Sequence, residues 1–300
     1  MVTKREDRRG PWRTDFAWTL QEAAGQGHLE TVKWLYGYDP QSAHALGAAA
    51  GNRVDFLKTL QEAAAEGHLE TVKWLYGYDP EPAQGLSSAA GGGHLPVVEW
   101  LWGQGVRGDD HNPIDSAAAH GHLEVIKWLH VRGARGYHAM NNAAAGGHLE
   151  VKKLLHGNEG GYNADAALDG AAKTGHLDVV KWLHDNRTEG CTTAAMDGAA
   201  ENGHLDVVCW LHDYRTQGCT GNAIKWAAGN GHLPVVEWLY KLYGSQFSIP
   251  NLMNSAALAA RGGHLKIVQM LAMNCWFSHP KYLTPVMANA FMYGQWSSGY

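Results

Sequence analysis

One tripeptide constrains this chain more than anything else in it. Gly-His-Leu stands at 27–29, 67–69, 93–95, 121–123, 147–149, 175–177, 203–205, 231–233 and 263–265. From Gly93 to Gly231 the steps are 28, 26, 28, 28 and 28 residues, and the step to Gly263 is 32. A period in this range marks a repeat architecture, in which each unit is one supersecondary element. Every copy carries a whole pattern, as in Ala199-Ala200-Glu201-Asn202-Gly203-His204-Leu205-Asp206-Val207-Val208-Cys209-Trp210-Leu211-His212.

Each position of that pattern has a physical reading. Ala-Ala closes a short first helix and lets neighbouring units approach closely. Gly ends the helix, where a left-handed backbone is cheap for Gly alone. Leu205, Val207, Val208 and Leu211 then fall at helical spacing and give a second helix its apolar stripe. The residue after His-Leu is Glu30, Glu70, Glu124, Glu150, Asp178 or Asp206 in six copies and Pro96 or Pro234 in two; Lys266 is the exception. An acid faces the positive end of the helix dipole, and proline gives up an N–H that has no helical partner anyway, so both mark a helix start. Lys follows three residues after five of the acids (Lys33, Lys73, Lys127, Lys153, Lys181), which predicts ion pairs on a solvated face. A unit of this kind cannot bury its apolar stripe alone, and stacking buries it.

The tract Ala-Ala-x-x-Gly-His-Leu-Glu-Val-Val-Lys-x-Leu resembles the ankyrin repeat over roughly residues 17–274. It departs from the usual pattern in two ways. The Thr-Pro-Leu-His opening is replaced by Ala166-Ala167-Leu168-Asp169 and Ala194-Ala195-Met196-Asp197, and only Pro113 corresponds to the proline. The period is also shorter than the usual ~33 residues. The shortfall lies in the loop, so the expected fold is an all-α ankyrin-type helical-repeat solenoid with shortened fingers and little or no β structure. The resemblance implies a scaffold that binds another protein on a concave face without catalysis. The alternative is a structural or adaptor segment of a larger protein whose activity lies in another domain.

Composition sets the remaining bounds. The net charge of −5 argues against a nucleic-acid partner. No apolar run reaches the ~18 residues of a membrane span, and the first thirty residues lack the apolar centre of a secretory signal. Four cysteines (Cys191, Cys209, Cys219, Cys275) with no Cys-x-x-Cys pair fit a reduced, intracellular setting, cytoplasmic or nuclear. Half of the eighteen histidines belong to Gly-His turns, and His130, His156, His184 and His212 each follow a turn histidine by eight residues. Metal pairs on helices want a spacing of about four, so no metal or cofactor is expected. The resemblance gives the turn histidines hydrogen bonds to backbone. No nucleophile–base set, phosphate loop or small-molecule site stands out, and no enzyme activity is expected. Trp34, Trp74, Trp100, Trp128, Trp182, Trp210 and Trp238 recur in register, either packing between units or forming an aromatic ridge for a partner.

Partner-binding residues are expected where the copies differ. The loops supply Arg107, Asp109, Arg132, Arg135, Arg187, Tyr214 and Arg215. The residues before the turn supply Lys173 and Glu201. The position seven before the turn histidine reads Asp115, Asn141, Asp169, Asp197 and then Lys225, followed by Trp226. In the resembled fold these line the concave side and its rim, which suggests an acidic strip that changes character at Lys225-Trp226.

The chain divides on this reading into a polar tail at 1–16, the array at 17–274 and a cap or non-repeat tail at 275–300. The array holds nine units and one degenerate unit near 44–60. Residues 19–40 and 59–80 match at 20 of 22 positions, differing only at Gly25/Ala65 and Gln26/Glu66. The second copy follows residues 53–58 with no loop, which predicts a distorted joint or one long helix at about 53–66.

Overall fold

Pairs of helices joined by a Gly-His turn recur along the whole described chain. The computed structural model describes residues 12–38, 53–78, 85–107, 112–157, 166–186 and 190–278, and no strand occurs among them. The first helices of repeats 1 to 9 are Trp12–Gly25, Arg53–Ala65, Gly85–Gly91, Pro113–Ala119, Ala139–Ala145, Ala167–Lys173, Thr193–Glu201, Gly221–Gly229 and Ile249–Arg261. The second helices are Leu29–Tyr38, Leu69–Tyr78, Leu95–Gly103, Leu123–Val131, Leu149–Gly157, Leu177–Asn186, Leu205–Tyr214, Leu233–Tyr243 and Leu265–Ser278. No described helix is long and apolar enough to cross a membrane.

The chain forms two compact units, Met1–Ala139 with Leu154–Tyr162, and Met140–Lys153 with Asn163–Tyr300. Within the first unit the first helices of repeats 1 to 4 pack side by side in chain order. Within the second, those of repeats 6 to 9 do the same. The Ala-Ala pair makes this approach possible: Ala117, Ala118, Ala199, Ala200, Ala227 and Ala228 are all fully buried. The second-helix stripe closes the core, as with Val207, Val208 and Leu211 at 0–1 % exposure. Each such side chain stabilises the fold by ~1.5–3 kcal/mol.

Local chemistry fixes the helix ends. Asn112, Thr192, Thr220 and Ser248 cap first helices, each accepting from a backbone N–H two or three residues on. Pro96 and Pro234 sit in the opening turn of their second helices. The expected ion pairs form at 2.7–2.8 Å for Glu30–Lys33, Glu70–Lys73, Glu124–Lys127 and Glu150–Lys153. Among the described residues Asp178 and Lys181 are not so joined; aspartate is one methylene shorter. The joint between the duplicated copies is a single unbroken helix, Arg53–Ala65. Residues 39–52 and 279–300 lie outside the described residues.

Lys152 breaks the pattern. It is fully buried, at the stripe position that holds Val98, Ile126, Val180, Val208, Val236 or Val268 in other copies.

Candidate functional site

Within each unit the turns lock one repeat to the next. Gly203 has φ +82°, its N–H reaches the Ala200 carbonyl at 3.2 Å, and the His204 N–H reaches that of Ala199 at 2.9 Å. The ring of His232, from the following repeat, lies over the bare α-carbon of Gly203. A Cβ there would stand 2.5 Å from His232 Nδ1. The same contact joins Gly27 to His68, Gly67 to His94 and Gly93 to His122 in the first unit. In the second unit it joins Gly147 to His176, Gly175 to His204 and Gly231 to His264. Nε2 of His68 donates to the Gly25 carbonyl at 2.8 Å, and Nε2 of His264 to that of Gly229 at 3.1 Å. Glycine is therefore required twice at the turn, for its backbone angle and for the histidine that covers it.

A second fastener is carried by the aspartates seven before the turn histidine. Asp169 accepts from the Thr192 N–H at 3.0 Å and its hydroxyl at 2.7 Å. Asp197 does the same to Thr220, at 2.8 and 2.6 Å. Each threonine hydroxyl in turn accepts from the N–H two residues on, at 3.0 and 3.1 Å, capping the next first helix. Asp115 accepts from the N–H groups of Tyr137 and His138 at 3.2 and 3.0 Å. Lys225 stands at this position in repeat 8 and cannot accept; its ammonium lies 4.4 Å from the centroid of the Trp226 ring.

The second helices carry an edge-to-face ladder. Four times the side chain two residues after a tryptophan meets the tryptophan of the next repeat: Tyr76 on Trp100, Trp102 on Trp128, His184 on Trp210 and His212 on Trp238, at 5.1–6.0 Å and 86–88°. His212 Nδ1 also hydrogen-bonds the Tyr243 hydroxyl at 2.7 Å. The tryptophans of these repeats thus pack between neighbouring repeats.

The thiols are held protonated. Burial pushes the Cys191 thiol up, partly offset by the Arg215 guanidinium. Cys219 is pushed up to about 12 by burial and then by the charge of Asp197. Burial, then Asp213 and Asp206, raises Cys209. Thiols in this state are weak nucleophiles. No group of three or more His, Cys, Asp or Glu among the described residues could hold a metal ion.

What stays available lies near the ends of the first helices in the second unit. Lys173, exposed, and Glu201, half-buried, sit 3.6 Å apart. The position six before the turn histidine is Glu22, Glu62, Ser88, Ser116, Asn142, Gly170 and Gly198, then Trp226 and Leu258. Trp226 is 40 % exposed.

Comparison with known proteins decides the family. A three-copy ankyrin repeat model matches residues 60–135 and 196–281, more than half of the chain, and a many-copy ankyrin repeat model matches 168–212. The chain belongs to the ankyrin repeat family. Its all-α repeat fold follows the family's helix-pair plan. One similar solved structure is the human ASB11 ankyrin repeat domain, 23% identical, matched over 60% of this chain and 96% of that one with a TM-score of 0.45. No curated protein matches the chain. Ankyrin repeats are in general protein-interaction scaffolds.

In this ankyrin array the residues singled out from the sequence fall into separate groups. Asp115, Asp169 and Asp197 carry the fasteners just described. Arg107 and Arg132 lie over the rings of Trp102 and Trp128, 4.4 and 3.5 Å from their centroids, and donate to backbone carbonyls of the same helices. The Arg135 carbonyl accepts from the Asn112 side chain. Tyr214, 59 % exposed, stacks on Trp210. Arg215 has Nε and Nη2 buried with no hydrogen-bond partner among the described residues. Lys173 and Glu201 pair across the first helices of repeats 6 and 7, and Lys225 lies over Trp226 on the first helix of repeat 8. Asp109 and Arg187 lie outside the described residues. The aspartate fastener escaped the sequence reading, although Thr192 and Thr220 each follow their aspartate by 23 residues.

Proposed function

We propose that this ankyrin array is a non-catalytic scaffold that holds a protein partner on the concave, first-helix side, through Lys173, Glu201, Lys225 and Trp226. The observation that carries this reading is Trp226. It is a large aromatic, 40 % exposed, where repeats 1 and 2 carry glutamate and repeats 3 to 7 carry serine, asparagine or glycine. Trp is the residue type most favoured at binding hot spots. The Lys225 ammonium over its ring adds a positive charge that suits an acidic partner segment. Asp115, Asp169 and Asp197, expected to form an acidic strip, act in this proposal by setting the repeat geometry beneath it. An intracellular setting, cytoplasmic or nuclear, goes with this reading.

The test is affinity capture from native lysate with the full chain and with the Trp226→Ala/Lys225→Glu variant, read by quantitative mass spectrometry. The scaffold reading expects at least one polypeptide to be captured by the full chain and lost with the variant. Indistinguishable capture profiles from the two proteins contradict it.

A further inference from the structure

Two arginines of the first unit lie over tryptophans on the second helices of repeats 3 and 4. The Arg107 guanidinium stands 4.4 Å from the Trp102 ring centroid, and that of Arg132 3.5 Å from Trp128. The two indoles meet edge to face at 6.0 Å, so the four side chains form one ridge. Nη1 of Arg107 donates to the carbonyls of Trp102 and Val106 at 2.6 and 3.1 Å, and Nη1 of Arg132 to that of Trp128 at 3.3 Å. Both arginines are exposed, and among the described residues no carboxylate pairs with either. Glu124, on the same helix as Trp128, is engaged by Lys127 at 2.8 Å. Each guanidinium therefore keeps its Nε–Nη2 edge for a ligand.

The structural duties of this position do not call for arginine. The residue four after the tryptophan, Arg132 in repeat 4, is Asn186 in repeat 6 and Tyr214 in repeat 7. Asn186 donates to the Trp182 carbonyl at 2.9 Å, and Tyr214 stacks on Trp210 at 5.0 Å. The carbonyl is satisfied in one case and the ring covered in the other, both without charge. What arginine adds is a positive charge and a free planar edge that matches a carboxylate bidentately. The carbonyl and the indole already hold the guanidinium in place, so little side-chain freedom is left to lose on binding. Exposed Val131, beside Arg132, offers apolar contact to the same ligand. A nucleic acid calls for many more cations than this ridge carries, in a chain of net charge −5. We propose that the Arg107–Arg132 ridge docks an acidic segment of a protein partner, each guanidinium holding a carboxylate through Nε and Nη2. The ridge belongs to second helices of the first unit and is independent of the binding role assigned to Trp226.

The experiment titrates the full chain into a fluorescein-labelled oligoglutamate peptide at low salt and reads anisotropy. Arg107→Gln/Arg132→Gln keeps a planar amide over each indole and is expected to weaken binding by about tenfold or more. Arg107→Lys/Arg132→Lys keeps the charge without the fork and is expected to lose most of the affinity as well. A lysine variant that binds like the wild type overturns the proposal, because charge alone then suffices. A glutamine variant that does so shows that the peptide binds elsewhere. A wild-type chain that ignores the peptide also overturns it, whether because Asp109 and Asp110 of the chain hold the two edges or because phosphatidylserine vesicles are bound instead. One measurement needs no variant to fold: the Nε–H resonances of Arg107 and Arg132 in the unmodified chain should both shift when the peptide is added. Resonances that stay in place contradict the proposal.

Discussion

Alanine at Gly203 tests the turn-to-histidine lock through two separable costs. The first is backbone strain: at φ +82° an L-residue costs ~1–2 kcal/mol. The second is collision, because the new methyl carbon would stand 2.5 Å from His232 Nδ1 and 2.8 Å from Cε1. The ring must leave its place between repeats 7 and 8, and overpacking of that kind costs ~1–3 kcal/mol. Gly203→Ala is therefore expected to destabilise by about 2–5 kcal/mol. Gly218 supplies the control within the same unit. It has φ +66° with nothing within 4 Å of the place a methyl would take, so Gly218→Ala carries only the ~1–2 kcal/mol of strain. In a His232→Ala background the collision disappears, and Gly203→Ala should cost no more than Gly218→Ala. Urea unfolding followed by circular dichroism gives the cycle, and amide exchange across 199–208 shows whether the loss is local. Equal costs for Gly203→Ala and Gly218→Ala in the wild-type background would refute the lock.

Three further outcomes follow from the same geometry. Asp197→Ala leaves the Thr220 N–H and hydroxyl without their acceptor, and should destabilise by ~1.5–3 kcal/mol, with only the hydroxyl's share of that cost absent when Thr220 is already alanine, because the N–H remains. Lys152→Val restores the residue type of the other copies at a fully buried position, where an ammonium is costly to desolvate, and is expected to raise the urea midpoint; a lower midpoint would show that the ammonium is needed where it lies. Cys219 should resist iodoacetamide at neutral pH until the chain unfolds. Its folded pKa of about 12 lies above the unfolded one, so the folded chain holds the proton longer, and stability is lost as pH rises between the ordinary cysteine range and that value. Rapid alkylation of folded protein at neutral pH would contradict this.

The parts of the fold that could be read from the sequence are those whose physical demand and residue signature lie in one short window. The left-handed turn needs glycine, the second helix needs an acid or proline at its start, and close packing needs Ala-Ala, all within a few residues of each turn histidine. The contacts between repeats were hidden because their two halves lie about one period apart. Asp197 looked like a free surface carboxylate until Thr220 was brought to it across the stack. His184 and His212 fitted no metal spacing, and their role appeared only once Trp210 and Trp238 of the next repeats met their rings. Only Lys153 was read from the sequence, and the adjacent Lys152 was not. Its register with Val180 and Val208 was the available signal that it points inward.

The central claim is that a protein partner is held on the first helices around Trp226. The direct measurement is hydrogen exchange on the full chain, free and in a complex isolated from native lysate. The account predicts added protection at Lys173, Glu201 and 225–226, with the outer ladder at Trp182, Trp210 and Trp238 unchanged. Protection confined to that ladder, with none at the first helices, would contradict it.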